Sequence, residues 1–162
     1  MEQPGHQQIN SRVNCCQTFY DHVRRRKSRP HNTHSVSKIN IPLLSRHHAH
    51  PVFADFLESY GKICARLTDP VALERMGRLF WFTVEFGLIR QNGEIKVYGS
   101  GLISSHGECT RVLAGGCEVK DFNLDAVLNQ EFQTSEMQPV LYAVESFDQI
   151  YEATKQAESQ LA

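Results

Sequence analysis

One carboxylate stands in the middle of the most apolar run of the chain, Leu79-Phe80-Trp81-Phe82-Thr83-Val84-Glu85-Phe86-Gly87-Leu88-Ile89. An ionised carboxylate taken out of water without a partner is costly, so Glu85 has to meet a cation, bind a metal or give up its charge. Arg78 and Arg90 flank the run, and an ion pair with either, or a place at a rim from which the carboxylate reaches water, would make Glu85 structural. A metal ligand or a catalytic carboxylate is the alternative, since structural ion pairs and reactive sites both perturb buried acids.

The histidines are the second candidates for chemistry. Five of the eight, His31, His34, His47, His48 and His50, fall within twenty residues, and neutral imidazoles bind zinc, iron or nickel. Their spacing matches no closed site, so a surface His-rich loop is the expectation. The five cysteines (Cys15, Cys16, Cys64, Cys109 and Cys117) lack Cys-x-x-Cys spacing, which favours reduced structural thiols over a disulfide framework or a zinc site. Arg24-Arg25-Arg26-Lys27-Ser28-Arg29 could hold phosphate by counterion release. Without interleaved aromatic residues it reads as a solvated charge run, and no nucleic-acid partner is expected.

The elements that must position Glu85 fit within one domain, since 162 residues can bury a real core but hardly two. No apolar run approaches the length of a membrane span, and the amino end lacks a signal-type stretch, so a cytoplasmic location and no membrane partner are expected. The net charge of −1 conceals a division: residues 1–50 hold 8 Lys+Arg against 2 Asp+Glu, and residues 51–162 hold 9 against 16. Such asymmetry sets the first segment apart. No sustained periodicity runs through its first 38 or so residues, which read as loop or disorder.

From Pro51 the pattern becomes helical, with Val52, Phe53, Phe56, Leu57, Tyr60 and Cys64 on one face and Pro51 in the first turn. Asp69 caps the next helix, Pro70 opens it, and the stripe Leu73, Met76, Leu79, Phe80, Val84 and Leu88 carries it through the core. Gln91-Asn92-Gly93-Glu94 reads as a turn and Ile95–Tyr98 as a short strand. Gly99-Ser100-Gly101 breaks regular structure and lets backbone come close to a ligand or helix. Beyond it the pattern predicts a short helix through Cys109, Val112 and Leu113, capped by Ser104 or Ser105 and ended by Gly115-Gly116. A second short helix spans Leu124 to Leu128, and a strand spans Val140 to Val144. Ser146 caps a last amphipathic helix carrying Phe147, Ile150, Tyr151 and Thr154. The fold class is mainly α, with a few short β-strands.

Two stretches carry a resemblance. Phe80-Trp81-Phe82-Thr83-Val84-Glu85-Phe86-Gly87-Leu88 followed by Tyr98-Gly99-Ser100-Gly101-Leu102-Ile103-Ser104-Ser105 resembles the biopterin-dependent aromatic amino acid hydroxylases, those of the bacterial phenylalanine 4-hydroxylase type in particular. The likeness begins at Ile41-Pro42-Leu43-Leu44 and continues through Pro51–Lys62. It divides the chain into an unmatched basic, His-rich segment, 1–40, and the carboxyl-terminal part of a catalytic domain, 41–162.

The resemblance implies Fe(II) and tetrahydrobiopterin as cofactors, and O2 with L-phenylalanine or a related aromatic amino acid as reactants. Two His and one carboxylate on one face of the iron would leave open positions, the geometry of non-haem iron oxygenases. By position Glu85 matches the iron carboxylate. Trp81, Phe86, Gly101 and Ser104 match positions lining the amino-acid pocket; without the motif core packing is the favoured account of Trp81 and Phe86, and with it pocket lining is. Phe80 stands where an aromatic residue near the pterin is usual.

The same resemblance exposes a departure. The family takes its two iron histidines from His-Asp-x-x-Gly-His just ahead of the Pro-Leu-Leu segment, where this chain has Ser35-Val36-Ser37-Lys38-Ile39-Asn40. Ser35 and Asn40 thus stand at the histidine positions, and neither replaces imidazole as an Fe(II) ligand. His34, His47 and His50 are the substitutes at hand. The alternative expectation is a noncatalytic remnant whose Phe80–Ile89 helix exposes apolar surface and associates with a partner or a further copy.

Overall fold

The computed structural model describes residues 51–161. The boundary at residue 40, the basic run 24–29, Ser35, Asn40, the histidines 31–50 and Ile41–Leu44 lie outside the described residues.

Helix α1 (Pro51–Cys64) turns Phe53, Phe56, Tyr60 and Ile63 inward, on the face set by three-four spacing. It packs against the last helix, α6 (Phe147–Leu161). Between them lies a three-ring cluster in which Phe53, Tyr98 and Phe147 meet edge to face at centroid distances of 5.2–6.0 Å. Each such fully buried ring removes enough apolar surface from water to contribute ~1.5–3 kcal/mol. Ser146 caps α6 by accepting from the Gln149 amide.

Helix α2 (Pro70–Phe80) begins as its sequence dictates. The Asp69 carboxylate accepts from the Val71 and Ala72 amides, and Pro70 occupies the first turn, where no amide is needed. It does not run on to Leu88. The helix widens into a π-helical turn, Trp81–Glu85, and the chain then enters strand β1 (Leu88–Gln91). Leu88 is therefore a strand residue, and the apparent stripe joined two elements that both face the core.

Strand β2 (Glu94–Val97) pairs antiparallel with β1 across Asn92-Gly93. Both turn residues adopt positive φ (53° and 78°), the conformation that two-residue hairpin turns require and that Asn-Gly tolerates best. Ser100–Ser104 forms a short helix, α3, where a break in regular structure was expected. Helix α4 (His106–Leu113) follows Ser105, whose side chain makes no capping bond. Strand β3 (Glu118–Asp121) has no counterpart in the sequence expectations: only Val119 interrupts its charged residues, so no apolar alternation marked it. Helix α5 (Leu124–Asn129), capped by Asn123, and strand β4 (Val140–Val144) complete the order.

The four strands form one sheet in the order β2-β1-β4-β3, with β4 parallel to both neighbours. Strand β4 is buried from Leu141 to Val144, which is why it reads as a continuous apolar run rather than an alternating one. The edges carry Glu94, Lys96, Glu118 and Lys120, charges that discourage further pairing. Phe80, Phe82, Val84, Phe86, Leu88 and Ile89 are all buried, so Phe80–Ile89 is no exposed apolar face. The exposed large apolar residues among those described are Val71, Leu113 and Met137, on separate parts of the chain. No helix among the described residues is long and apolar enough to cross a membrane.

Candidate functional site

The π-helical turn decides which side chains meet. The Phe86 amide donates to the Trp81 carbonyl at 2.8 Å, a five-residue closure. In an α-helix, residues five apart point about 140° away from each other. Here the wider turn and the departure of the chain at Phe86 bring the Trp81 and Phe86 rings into a stack, with centroids 4.4 Å apart. Single π-turns inside α-helices occur frequently at functional sites. Thr83 reinforces this one by donating its hydroxyl to the Leu79 carbonyl.

Three glycines make the seat of Glu85. A β-carbon at Gly87 would lie 2.0 Å from the Thr83 carbonyl oxygen, and one at Gly99 would lie 2.4 Å from the Glu85 carbonyl oxygen. At Gly101 it would come within 2.8 Å of Glu85 Oε2 and 3.2 Å of the Phe86 ring. The Tyr98 and Gly99 amides both donate to the Gly87 carbonyl. The two sequence stretches thus interlock physically: the Gly99-Ser100-Gly101 backbone presses against the turn that carries the carboxylate.

Glu85 is half-buried, and Ser100 donates its hydroxyl to Oε2 at 3.2 Å. Neither flanking arginine reaches it. Arg78 pairs with Glu74 at 3.1 Å and donates to the Leu128 carbonyl, while Arg90 pairs with Asp121 and Glu145. Among the described residues Glu85 has no cationic partner, so the structural ion pair that would explain its position does not form.

Trp81 lies between two rings, with Phe132 stacked on its other face at 4.3 Å and 11°. Its buried indole N–H has no hydrogen-bond partner. Beyond Phe132, residues Glu131–Gln133 and Glu136–Pro139 line an open cavity of about 480 Å³. Gly101 touches both Glu85 and Phe86, and Ser104, exposed, donates to the Gly101 carbonyl at 2.8 Å. The structure therefore gathers Glu85, Trp81, Phe86 and Gly101, with Ser104 one turn further along α3. Phe80 sits differently: it is buried in the core, its ring 5.5 Å from that of Tyr60.

No group of three His, Cys, Asp or Glu among the described residues could hold a metal ion. Glu85 and the Ser100 hydroxyl offer one anionic and one weak neutral donor, which is too poor a set for Fe(II). The described residues by themselves do not fit an iron centre.

Three participants were not singled out from the sequence: Phe132, Glu108 and Gln138. Glu108 carried a signal, because it stands four residues before the buried Val112 on α4 and so falls on the inward face. Phe132 carried none, lying in a polar loop with no period to mark it.

Comparison with known proteins fits this arrangement. The family model for biopterin-dependent aromatic amino acid hydroxylases matches residues 12–162. A tyrosine 3-monooxygenase of Bos taurus is 41% identical over 108 residues, 67% of this chain and 21% of the relative. The phenylalanine-4-hydroxylase of Ralstonia nicotianae is 32% identical over 117 residues, 72% of this chain and 36% of the relative. The chain thus spans well under half the length of these relatives.

The crystal structure of Chromobacterium violaceum phenylalanine hydroxylase with bound Fe(III) superposes with a TM-score of 0.64 at 34% identity, over 69% of this chain and 42% of that one. The form holding iron(III) and 7,8-dihydrobiopterin gives 0.63. A match of this extent, on a helix and glycine turn whose interlock the coordinates explain, makes the chain a member of the biopterin-dependent aromatic amino acid hydroxylase family.

Proposed function

We propose that residues 41–162 form the carboxyl-terminal part of an aromatic amino acid hydroxylase domain of the phenylalanine 4-monooxygenase type, with 1–40 a separate basic segment and the chain cytoplasmic. In this reading Trp81, Phe86, Gly101 and Ser104 receive the side chain of L-phenylalanine, and Phe80 lies toward the pterin. Glu85 is the carboxylate of an iron(II) site. The observation that carries it is the state of Glu85: half-buried, held by a hydroxyl and met by no arginine or lysine among the described residues. The Phe86 ring beside Gly101, backed by Trp81, forms an apolar wall suited to an aromatic ring, and the glycine at 101 leaves room beside the carboxylate.

Catalysis requires two imidazoles beside Glu85; among the described residues the one histidine is His106, exposed at the start of α4, and His34, His47 and His50 are the candidates. A second reading rests on that shortage. With one carboxylate for a metal among the described residues, the chain would be noncatalytic and associate with a partner.

Iron content separates the two readings, measured on purified chain beside Glu85→Ala. Stoichiometric iron that the variant loses, with tyrosine formed from L-phenylalanine, tetrahydrobiopterin and O2, supports the hydroxylase. Iron no higher than in Glu85→Ala, and no tyrosine above that control, rejects it and leaves the noncatalytic reading.

A further inference from the structure

A buried clamp on α4 holds the loop that closes the aromatic stack. Glu108 is only 6% exposed, and its Oε1 accepts from the Gln138 amide at 2.7 Å. Arg111, one turn later, donates to the carbonyl of the same Gln138 at 3.0 Å. Gln138 is itself 2% exposed, and its side-chain amide donates to the Gln133 and Glu136 carbonyls at 2.6 and 2.9 Å. Both polar groups of one backbone unit and the interior of the 130–139 loop are thus tied to one helix face. At the other end of the loop, the Tyr142 hydroxyl donates to the Gln130 side chain.

Phe132 is the part of this loop that reaches the site. It lies flat on Trp81 and edge-on to Phe82. The same α3–α4 arm supplies Gly101 beneath Glu85 and, a few residues on, Glu108 and Arg111. One short helical arm therefore touches the carboxylate at one end and holds the Phe132 loop at the other. The reach of the two charges is visible at Cys117, whose thiol is raised chiefly by burial, lowered by Arg111 and raised again by Glu108.

We infer that Glu108 and Arg111 are positioning residues: by gripping Gln138 they fix the loop that seats Phe132 on Trp81, and so keep that face of the Trp81 stack covered. That an amino-acid ring binds beside this stack rests on the proposed function, whereas the grip itself does not. Removing a partner from a buried amide leaves it unsatisfied. The open population of the loop should then rise about tenfold or more.

The sequence has a single tryptophan beside five tyrosines, so fluorescence excited at the red edge of the indole band, where phenols do not absorb, reports on Trp81 alone. Acrylamide quenching and hydrogen exchange at the Gln138 amide are measured in wild type, Glu108→Ala, Glu108→Gln and Phe132→Ala. Glu108→Ala should speed Gln138 exchange and raise quenching toward the level of Phe132→Ala. Glu108→Gln keeps an acceptor oxygen and should restore both to near the wild-type values. Quenching that rises in Phe132→Ala yet is unchanged in Glu108→Ala overturns the clamp, as does Phe132→Ala with no rise at all. Should Glu108→Ala not fold, Arg111→Ala decides: increased quenching supports the grip, and unchanged quenching refutes it.

Adding L-phenylalanine to the wild type separates this inference from the substrate reading. No effect of the amino acid beside Glu108-dependent quenching leaves the clamp and removes the substrate. An effect of the amino acid beside Glu108-independent quenching does the reverse.

Discussion

Two glutamates of this chain lie in its interior under opposite conditions. Glu108 is almost fully buried and gives an oxygen to a backbone amide at 2.7 Å. Glu85 is half-buried, with Gly101 beside its carboxylate, and takes one hydroxyl at 3.2 Å. A carboxylate matched to a buried amide has its role in the fold, because removing it leaves that amide bare. A carboxylate with a weak partner in an apolar setting contributes little to the fold and remains available to a ligand. Retaining such a group is the usual trade of stability for function.

The largest test of that contrast changes the seat rather than the acid. Gly87→Ala would place a β-carbon 2.0 Å from the Thr83 carbonyl, and Gly99→Ala would place one 2.4 Å from the Glu85 carbonyl. Both obstacles are backbone atoms of the π-helical turn and cannot swing aside. Each variant should lose about 3 kcal/mol or more in denaturant unfolding, at the upper end of overpacking costs. Gly101→Ala first meets the Glu85 carboxylate oxygen at 2.8 Å, the far end of a flexible side chain. It should cost only about 1 kcal/mol while displacing the acid. Equal losses at all three glycines would mean the turn is not the rigid part.

Next comes the direct exchange of the two acids. Glu108→Ala strands the Gln138 amide and should cost ~1–3 kcal/mol. Glu85→Ala gives up a long hydroxyl bond at a partly exposed site, and should stay within about 0.5 kcal/mol of wild type. Equilibrium unfolding in urea with matched m-values measures both. A Glu85→Ala loss as large as that of Glu108→Ala would make Glu85 a structural acid and undo the distinction.

How far this contrast could be read from the residues differs between its halves. Glu85 announced itself because an acid in an apolar run is locally anomalous, and the flanking glycines signalled close approach. Helix α1 and the starts of α2 and α6 followed from period and caps: Pro51, Asp69-Pro70 and Ser146 work by short-range geometry that the chain carries in itself. What escaped was set by distant partners. Nothing local told Leu88 to leave the helix; its pairing with Val97 and Ala143 did. Strand β3 exists because β4 offers it a ladder, and Phe132 matters because a loop folded by Gln138 lays it on Trp81. The π-helical turn was hidden for the same reason. Four of its five residues are aromatic or β-branched and favour strand over helix, and the widened turn shows only once the glycine backbone behind it is in place.

A further effect concerns Tyr98, whose ring fills the space that a side chain at Gly87 would need. Its hydroxyl is buried without a partner, and burial alone holds the phenol above its ordinary value of 10.0. Because the folded state keeps this proton more tightly than the unfolded chain, the associated stability is fully present below pH 10 or so. It is lost as pH rises beyond that value toward the folded one. Tyr98→Phe removes both the unmatched hydroxyl and the titration while preserving the ring contacts with Phe53 and Phe147. At neutral pH it should gain up to about 1 kcal/mol, the lower range of what an unsatisfied buried group costs. Above pH 10 its unfolding midpoint should decline less steeply than that of the wild type. Some alkaline slope will remain, because Tyr142, raised mainly by burial, titrates in the same sense. A Tyr98→Phe variant that melts lower at neutral pH, with an unchanged alkaline slope, would show that the hydroxyl has a partner in solution. The glycine seat would then be held by a polar contact as well as by close packing.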